Sequence, residues 1–189
     1  MTPPLKWHGG KHYLAAHIHK LASQTTYTHC VITHGGGAAE LWDWPYQGIS
    51  EVLNDINGDL TNFWRVLASK EQFPIFLRQV QATPFSQIEW RNAKATLPNT
   101  QDPVSRAVLF FILCRQSMAG RMQSFSPISR TRTRRGMNEQ VSSWLTAIDG
   151  LPQVHARLSR ILILNDDAIS VIRSQDSPQT LFYCDPPYH

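Results

Sequence analysis

The sequence predicts an α/β fold, a short parallel sheet whose strands alternate with helices and are interrupted by a long helical insertion. Short apolar runs at residues 29–33, 49–53, 161–164 and 181–184 have the length and continuous apolar character of parallel strands. Each run ends in a glycine- or aspartate-bearing turn: His34-Gly35-Gly36-Gly37, Asn54-Asp55-Ile56-Asn57, Asn165-Asp166-Asp167 and Asp185-Pro186-Pro187-Tyr188. Between the second and third runs, residues 72–159 show helical periodicity without a strand pattern. The expected organisation is a sheet domain begun over residues 1–70, a helical and basic insertion over 71–159, and the sheet resumed over 160–189. Parallel strands would place all these turns on one rim, the side on which open α/β sheets bind ligands.

Taken in order, the chain opens on the glycine-containing loop Lys6-Trp7-His8-Gly9-Gly10-Lys11, with a helix expected over residues 11–23. Leu14, Ile18 and Leu21 recur at helical spacing as its buried stripe. His8, His12, His17 and His19 have no Glu or Cys beside them and read as helix-surface histidines; no metal site is expected. The first strand runs into Gly35-Gly36-Gly37 and a helix start, where glycines admit a close ligand and a helix N-terminus adds donors. A dinucleotide fingerprint fails here because Ala39-Glu40 stand where its last glycine belongs. An esterase oxyanion loop fails because the chain has no G-x-S-x-G elbow. Asp55, about twenty residues beyond the glycine turn, is placed to accept ribose hydroxyls. Asn57 can cap the following helix of residues 59–69, whose inward face is Leu60, Phe63 and Leu67.

Within the insertion, Asp102-Pro103 starts a helix whose residues 107–113 are apolar nearly all round. Residues 124–136 lack periodicity and alternate small hydroxyl residues with arginines, a composition suited to phosphates and guanine edges. A helix over 138–148 should stop at Gly150 and Pro152, and residues 161–164 should form a buried strand.

Charge is distributed unevenly. Residues 91–135 carry nine basic side chains against Asp102 alone, a net +8 within a chain of +4. A polyanionic partner is the natural inference, with Arg115, Arg121, Arg130, Arg132, Arg134 and Arg135 as its contacts. No run approaches the ~18 apolar residues of a membrane span, and no signal-peptide pattern is present. Cys30, Cys114 and Cys184 are far apart and form no CxxC pair, which argues against a disulfide framework and for a reducing, cytoplasmic setting.

The last turn is chemically the most specific. Prolines 186 and 187 hold an extended backbone whose carbonyls stay available, so Asp185 and one fixed carbonyl can each take a hydrogen of a planar NH₂ group. Tyr188 offers a ring for stacking, and adenine is the commonest flat ring with an exocyclic amine. The same four residues also make an ordinary proline-rich turn after a strand.

The loop at residues 6–11, the glycine turn, Asn54-Asp55-Ile56-Asn57 and Asp185-Pro186-Pro187-Tyr188 occur in the order found in the Dam-like DNA adenine-N6 methyltransferases, phage and prophage versions above all, which the chain resembles over nearly its whole length. The resemblance implies a class I methyltransferase-like (Rossmann-like) sheet with a helical target-recognition insertion, S-adenosylmethionine as cofactor and double-stranded DNA as substrate. It implies that Trp7, Gly9, Gly10, Lys11, Gly35, Gly36, Gly37 and Asp55 contact the cofactor and that Asp167 lies near its adenine. Asp185 would face both cofactor and target, with Pro186, Pro187 and Tyr188 completing the catalytic loop and residues 117–136 reading the DNA. Methylation of cytosine or of a protein glutamine is disfavoured because Asp, not Asn or Ser, opens that loop. Val31-Ile32-Thr33 depart from the family's Glu-Pro-Phe before the glycines, removing a carboxylate from the cofactor side. The family sheet also continues past the catalytic loop, whereas this sequence stops at His189. The sheet is therefore expected to be incomplete at the C-terminus and the activity weak; the alternative is an inactive truncated remnant that retains at most DNA binding.

Overall fold

The computed structural model describes residues 1–11, 13–44, 48–127 and 129–187, and for Asp43 the backbone alone. In chain order the strands are β1 (His29–Ile32), β2 (Ser50–Asn54), β3 (Thr133–Arg134), β4 (Met137–Asn138), β5 (Leu162–Leu164) and β6 (Thr180–Tyr183). The α-helices are α1 (Ala15–Ala22), α2 (Gly58–Ala68), α3 (Gln72–Ala82), α4 (Gln87–Thr96), α5 (Pro103–Gln116), α6 (Glu139–Leu158) and α7 (Ala168–Gln175). The main sheet is parallel throughout, in the order β5-β2-β1-β6.

Strand residues alternate between the two faces of this sheet. Ile32 and Leu53 point into the main core with Phe63 and Trp64 of α2, Phe76 of α3, Phe110 and Phe111 of α5 and Leu151 of α6. Val31 and Val52 point the other way, onto Val171 of α7. The insertion helices thus share one core with the sheet. Glu51 of β2 and Arg157 of α6 tie the two together in a buried ion pair, Nη1 and Nη2 meeting the two carboxylate oxygens at 2.6 and 2.5 Å.

Several local expectations hold. Asn57 caps α2, accepting from the amides of Asp59 and Leu60. Asp102 caps α5 with Pro103 in the first turn, and α5 is buried over most of its circumference.

Others are corrected by packing. Helix α1 is shorter than residues 11–23, and Leu14 and Leu21 are exposed. Its inward face is instead Ala15, Ile18 and Ala22, also helically spaced, because Ile18 and Ala22 dock on Cys30 and Trp44. Among the described residues between the glycine turn and β2 there is no α-helix: Gly36 and Ala38 have φ of +48° and +52°, outside the helical region, and the 3₁₀ turn Leu41–Asp43 follows. Helix α6 does not stop at Gly150 and Pro152 but continues to Leu158. The proline's cost of about 3 kcal/mol is offset by burial of Leu151, Val154 and Leu158 and by the Arg157 pair. Strand β5 lies at a sheet edge, with Leu162 54% exposed, rather than in the interior. Within residues 124–136 and just beyond, β3 and β4 form a hairpin whose turn residues Arg135 and Gly136 both have positive φ, the geometry that matches strand twist.

Candidate active site

The strand order creates the site. From β1 the chain steps outward to β2 and β5, then returns to β6 on the opposite flank of β1. The carboxyl ends of β1 and β6 therefore diverge at a topological switch point, where a crevice opens. A cleft of about 670 Å³ lies there. It is lined by Trp7 to Lys11, Thr33 to Glu40, Asp55 to Asn57, Asp166 to Ala168, and Asp185 to Pro187. All four predicted turns thus meet around one space. Tyr188 and His12 fall outside the described residues.

Asn54 locks the rim. Fully buried, it donates from Nδ2 to the carbonyls of Thr33 (2.9 Å) and Asp166 (3.0 Å), and its Oδ1 accepts from the Asp166 amide at 3.0 Å. Its own carbonyl accepts from the Gly35 amide at 2.7 Å. One side chain so joins the ends of β1, β2 and β5.

The glycines of the turn are required first by Trp7. A Cβ on Gly36 would meet the Trp7 indole nitrogen at 2.8 Å, and one on Gly37 would meet Trp7 Cβ at 2.6 Å. At Gly35 the obstruction is Leu53, at 2.7 Å. The N-terminal loop thus folds closely over Gly36 and Gly37 and forms one wall of the cleft that the glycines also line.

The carboxylates differ in how they are held. Asp55 accepts from the Gly36 amide at 2.8 Å with Oδ2 and from the Asn57 amide at 2.9 Å with Oδ1. It fixes the glycine turn to β2, and each oxygen keeps further acceptor capacity. Asp167 caps α7 through the Ser170 amide, and its own amide donates to Asp166. Asp185 is gripped by Lys11, whose Nζ lies 3.0 and 2.8 Å from its two oxygens. Glu40, not foreseen as a site residue, is 5% exposed, lines the cleft, and accepts from the Tyr183 hydroxyl at 3.3 Å. A signal for it was present: it is the first acidic residue of the chain and lies three positions after the glycines.

The arginines divide. Arg121, Arg130, Arg132, Arg134 and Arg135 are exposed, Arg135 with contacts to Thr146 and Asp149. Arg115 is not on that surface: it is 8% exposed and donates to the Ser143 carbonyl and hydroxyl. Burial lowers its pKa to about 10. Burial, with Arg115 as neighbour, lowers that of Lys6 to about 8. Ser117, at the start of the expected reading region, is also buried and accepts from the Trp90 indole at 2.8 Å.

A parallel sheet in the order β5-β2-β1-β6, with acidic and glycine turns around its switch point and a helical insertion before β5, defines an α/β protein of the class I methyltransferase type. Residues 7–189 match the family described as D12 class N6 adenine-specific DNA methyltransferase. The chain belongs to that family, and it is an adenine-specific DNA methyltransferase. Comparison with curated proteins gave no match. No helix among the described residues is long and apolar enough to cross a membrane.

Proposed function

We propose that the chain transfers a methyl group from S-adenosylmethionine to the exocyclic N6 of adenine in double-stranded DNA, with Asp185, Pro186 and Pro187 holding the target. The observation that carries this reading is the convergence of the 7–11 loop, the glycine turn, Asp55, Asp167 and Asp185 around one cleft. Its volume falls within the ~300–1,000 Å³ usual for small-molecule sites. The lining suits a cofactor that is cationic at one end and carries a ribose and a flat base at the other. Carboxylates of Asp55, Glu40 and Asp185 face it, and the exposed Ile56 adds an apolar contact.

When bound, the cofactor supplies an electrophilic methyl group on a sulfonium centre. Asp55 would accept from the ribose hydroxyls, and Asp167 would lie beside the adenine. Lys11 bridges both oxygens of Asp185. A carboxylate has about four lone-pair sites, so Asp185 keeps acceptors for the amine, and the Pro186 carbonyl takes the second hydrogen. That would leave the nitrogen lone pair free to form the N–C bond as the S–C bond of the sulfonium breaks and its electron pair returns to sulfur, and Asp185 would take the proton the amine sheds. The target base must leave the duplex stack to arrive there, with Tyr188 as its stacking partner. The experiment is tritiated-methyl transfer to unmethylated DNA followed by base analysis. Label at adenine N6 is expected; label at cytosine, or none, overturns the reading.

The exposed arginines of the hairpin region are proposed to neutralise phosphates. Changing Arg130, Arg132, Arg134 and Arg135 together to Ala should reduce the slope of log K against log salt by about 3–4, each phosphate contributing about 0.9. An unchanged slope would make the hairpin a bystander.

Asp55→Ala removes a ribose acceptor and also frees the glycine turn from β2. Cofactor affinity should fall by about 10- to 100-fold, from hydrogen bonds to a charged group worth about 1.5–3 kcal/mol. DNA affinity should hardly change; equal cofactor affinity in calorimetry would remove Asp55 from the site.

A further inference from the structure

We propose that Glu40 receives the α-ammonium group at the amino-acid end of the cofactor, an inference that rests on the S-adenosylmethionine reading above. Glu40 is 5% exposed yet lines the cleft. Among the described residues its carboxylate meets one neutral donor, the Tyr183 hydroxyl at 3.3 Å, and no cation. The cations of the described ion pairs go elsewhere, to Asp185, Asp59, Asp149 and Glu51. A carboxylate buried this far is costly unless a charged partner completes it.

The other acids of the cleft already have partners. Asp55 takes two backbone amides, Asp185 takes Lys11, Asp166 takes the Asp167 amide, and Asp167 caps α7. Glu40 is therefore where an ammonium group gains most.

Its position agrees. The Glu40 carbonyl accepts from His19 Nε2 at 3.0 Å, which anchors the segment, and its partner Tyr183 ends β6. Glu40 thus lies on the β1–β6 side of Asp55, while Asp167 lies on the β5 side. A cofactor with its ribose at Asp55 and its base at Asp167 extends its amino-acid end toward Glu40.

The test is calorimetry on the whole chain with S-adenosylhomocysteine and with its analogue lacking only the α-amino group. Wild type should bind the amino form about 10- to 100-fold more tightly. Glu40→Gln should lose that preference and bind the des-amino analogue as wild type does, so that the two deletions are not additive. Tyr183→Phe, which removes the one donor Glu40 has among the described residues, should enlarge the preference for the amino form, and it provides a second variant should Glu40→Gln fail to fold. Equal losses for both ligands, or a wild type indifferent to the amino group, overturn the assignment. A wild type that binds neither ligand overturns the cofactor reading, and this inference with it.

Discussion

Replacing Asp185 with alanine is expected to lower methyl transfer by about 10²–10⁴-fold, the contribution typical of a positioned acid–base group, while DNA binding persists. The reason is geometric. Asp185 is the cleft carboxylate carried by the turn that follows β6, and Lys11 clamps both its oxygens at 3.0 and 2.8 Å. Alanine removes the acceptor and also releases the Lys11 ammonium into the space the amine would occupy. Asp185→Asn keeps the shape but replaces an acceptor oxygen with a donor, and it should be nearly as damaging. The measurement is single-turnover transfer of labelled methyl, with DNA affinity determined in parallel. A variant within tenfold of wild type would show that the amine is held by other groups.

The largest effect on stability is expected at Arg157. Its pair with Glu51 is 3% and 4% exposed and joins the insertion to the central sheet across more than a hundred residues. Removing one partner strands a buried charge at a cost of about 3–5 kcal/mol. For a protein of this size that corresponds to a fall in Tm of roughly 6–20 °C. Arg157→Met and Glu51→Leu should each approach that loss, whereas the double substitution should recover most of it, since apolar side chains of similar volume leave no charge behind. Denaturant unfolding of the three variants decides the matter. Single variants within about 1 kcal/mol of wild type would mean that water reaches the pair.

Much of the site was legible because its signals are local. Glycines at 35–37, Asn57 ahead of α2, Asp102-Pro103 ahead of α5 and prolines after Asp185 act over a few residues, through allowed backbone angles and missing or unsatisfied amide groups. These determine where strands stop and helices start, and parallel strands then bring their ends together. The Leu14–Leu21 stripe misled because helical spacing fits more than one face of a short helix, and Cys30 and Trp44 select the Ala15–Ala22 face. Gly150 and Pro152 misled because local breakers yield where several buried side chains hold a helix together.

By itself, the sequence determined the strand–turn alternation, the four acidic and glycine turns of the rim, and a basic segment suited to a polyanion. Only the tertiary structure decided which charges face the core, the cleft or the solvent. Arg115 and Arg157 look like any other arginine in sequence, yet one is buried against Ser143 and the other against Glu51, while Arg130 and Arg134 stay exposed. The same holds for Glu40, which lines the cleft and accepts a hydrogen bond from Tyr183, far along the chain. The physical reason is that a charge's surroundings are set by elements distant in sequence, whereas a turn's conformation is set by its own residues.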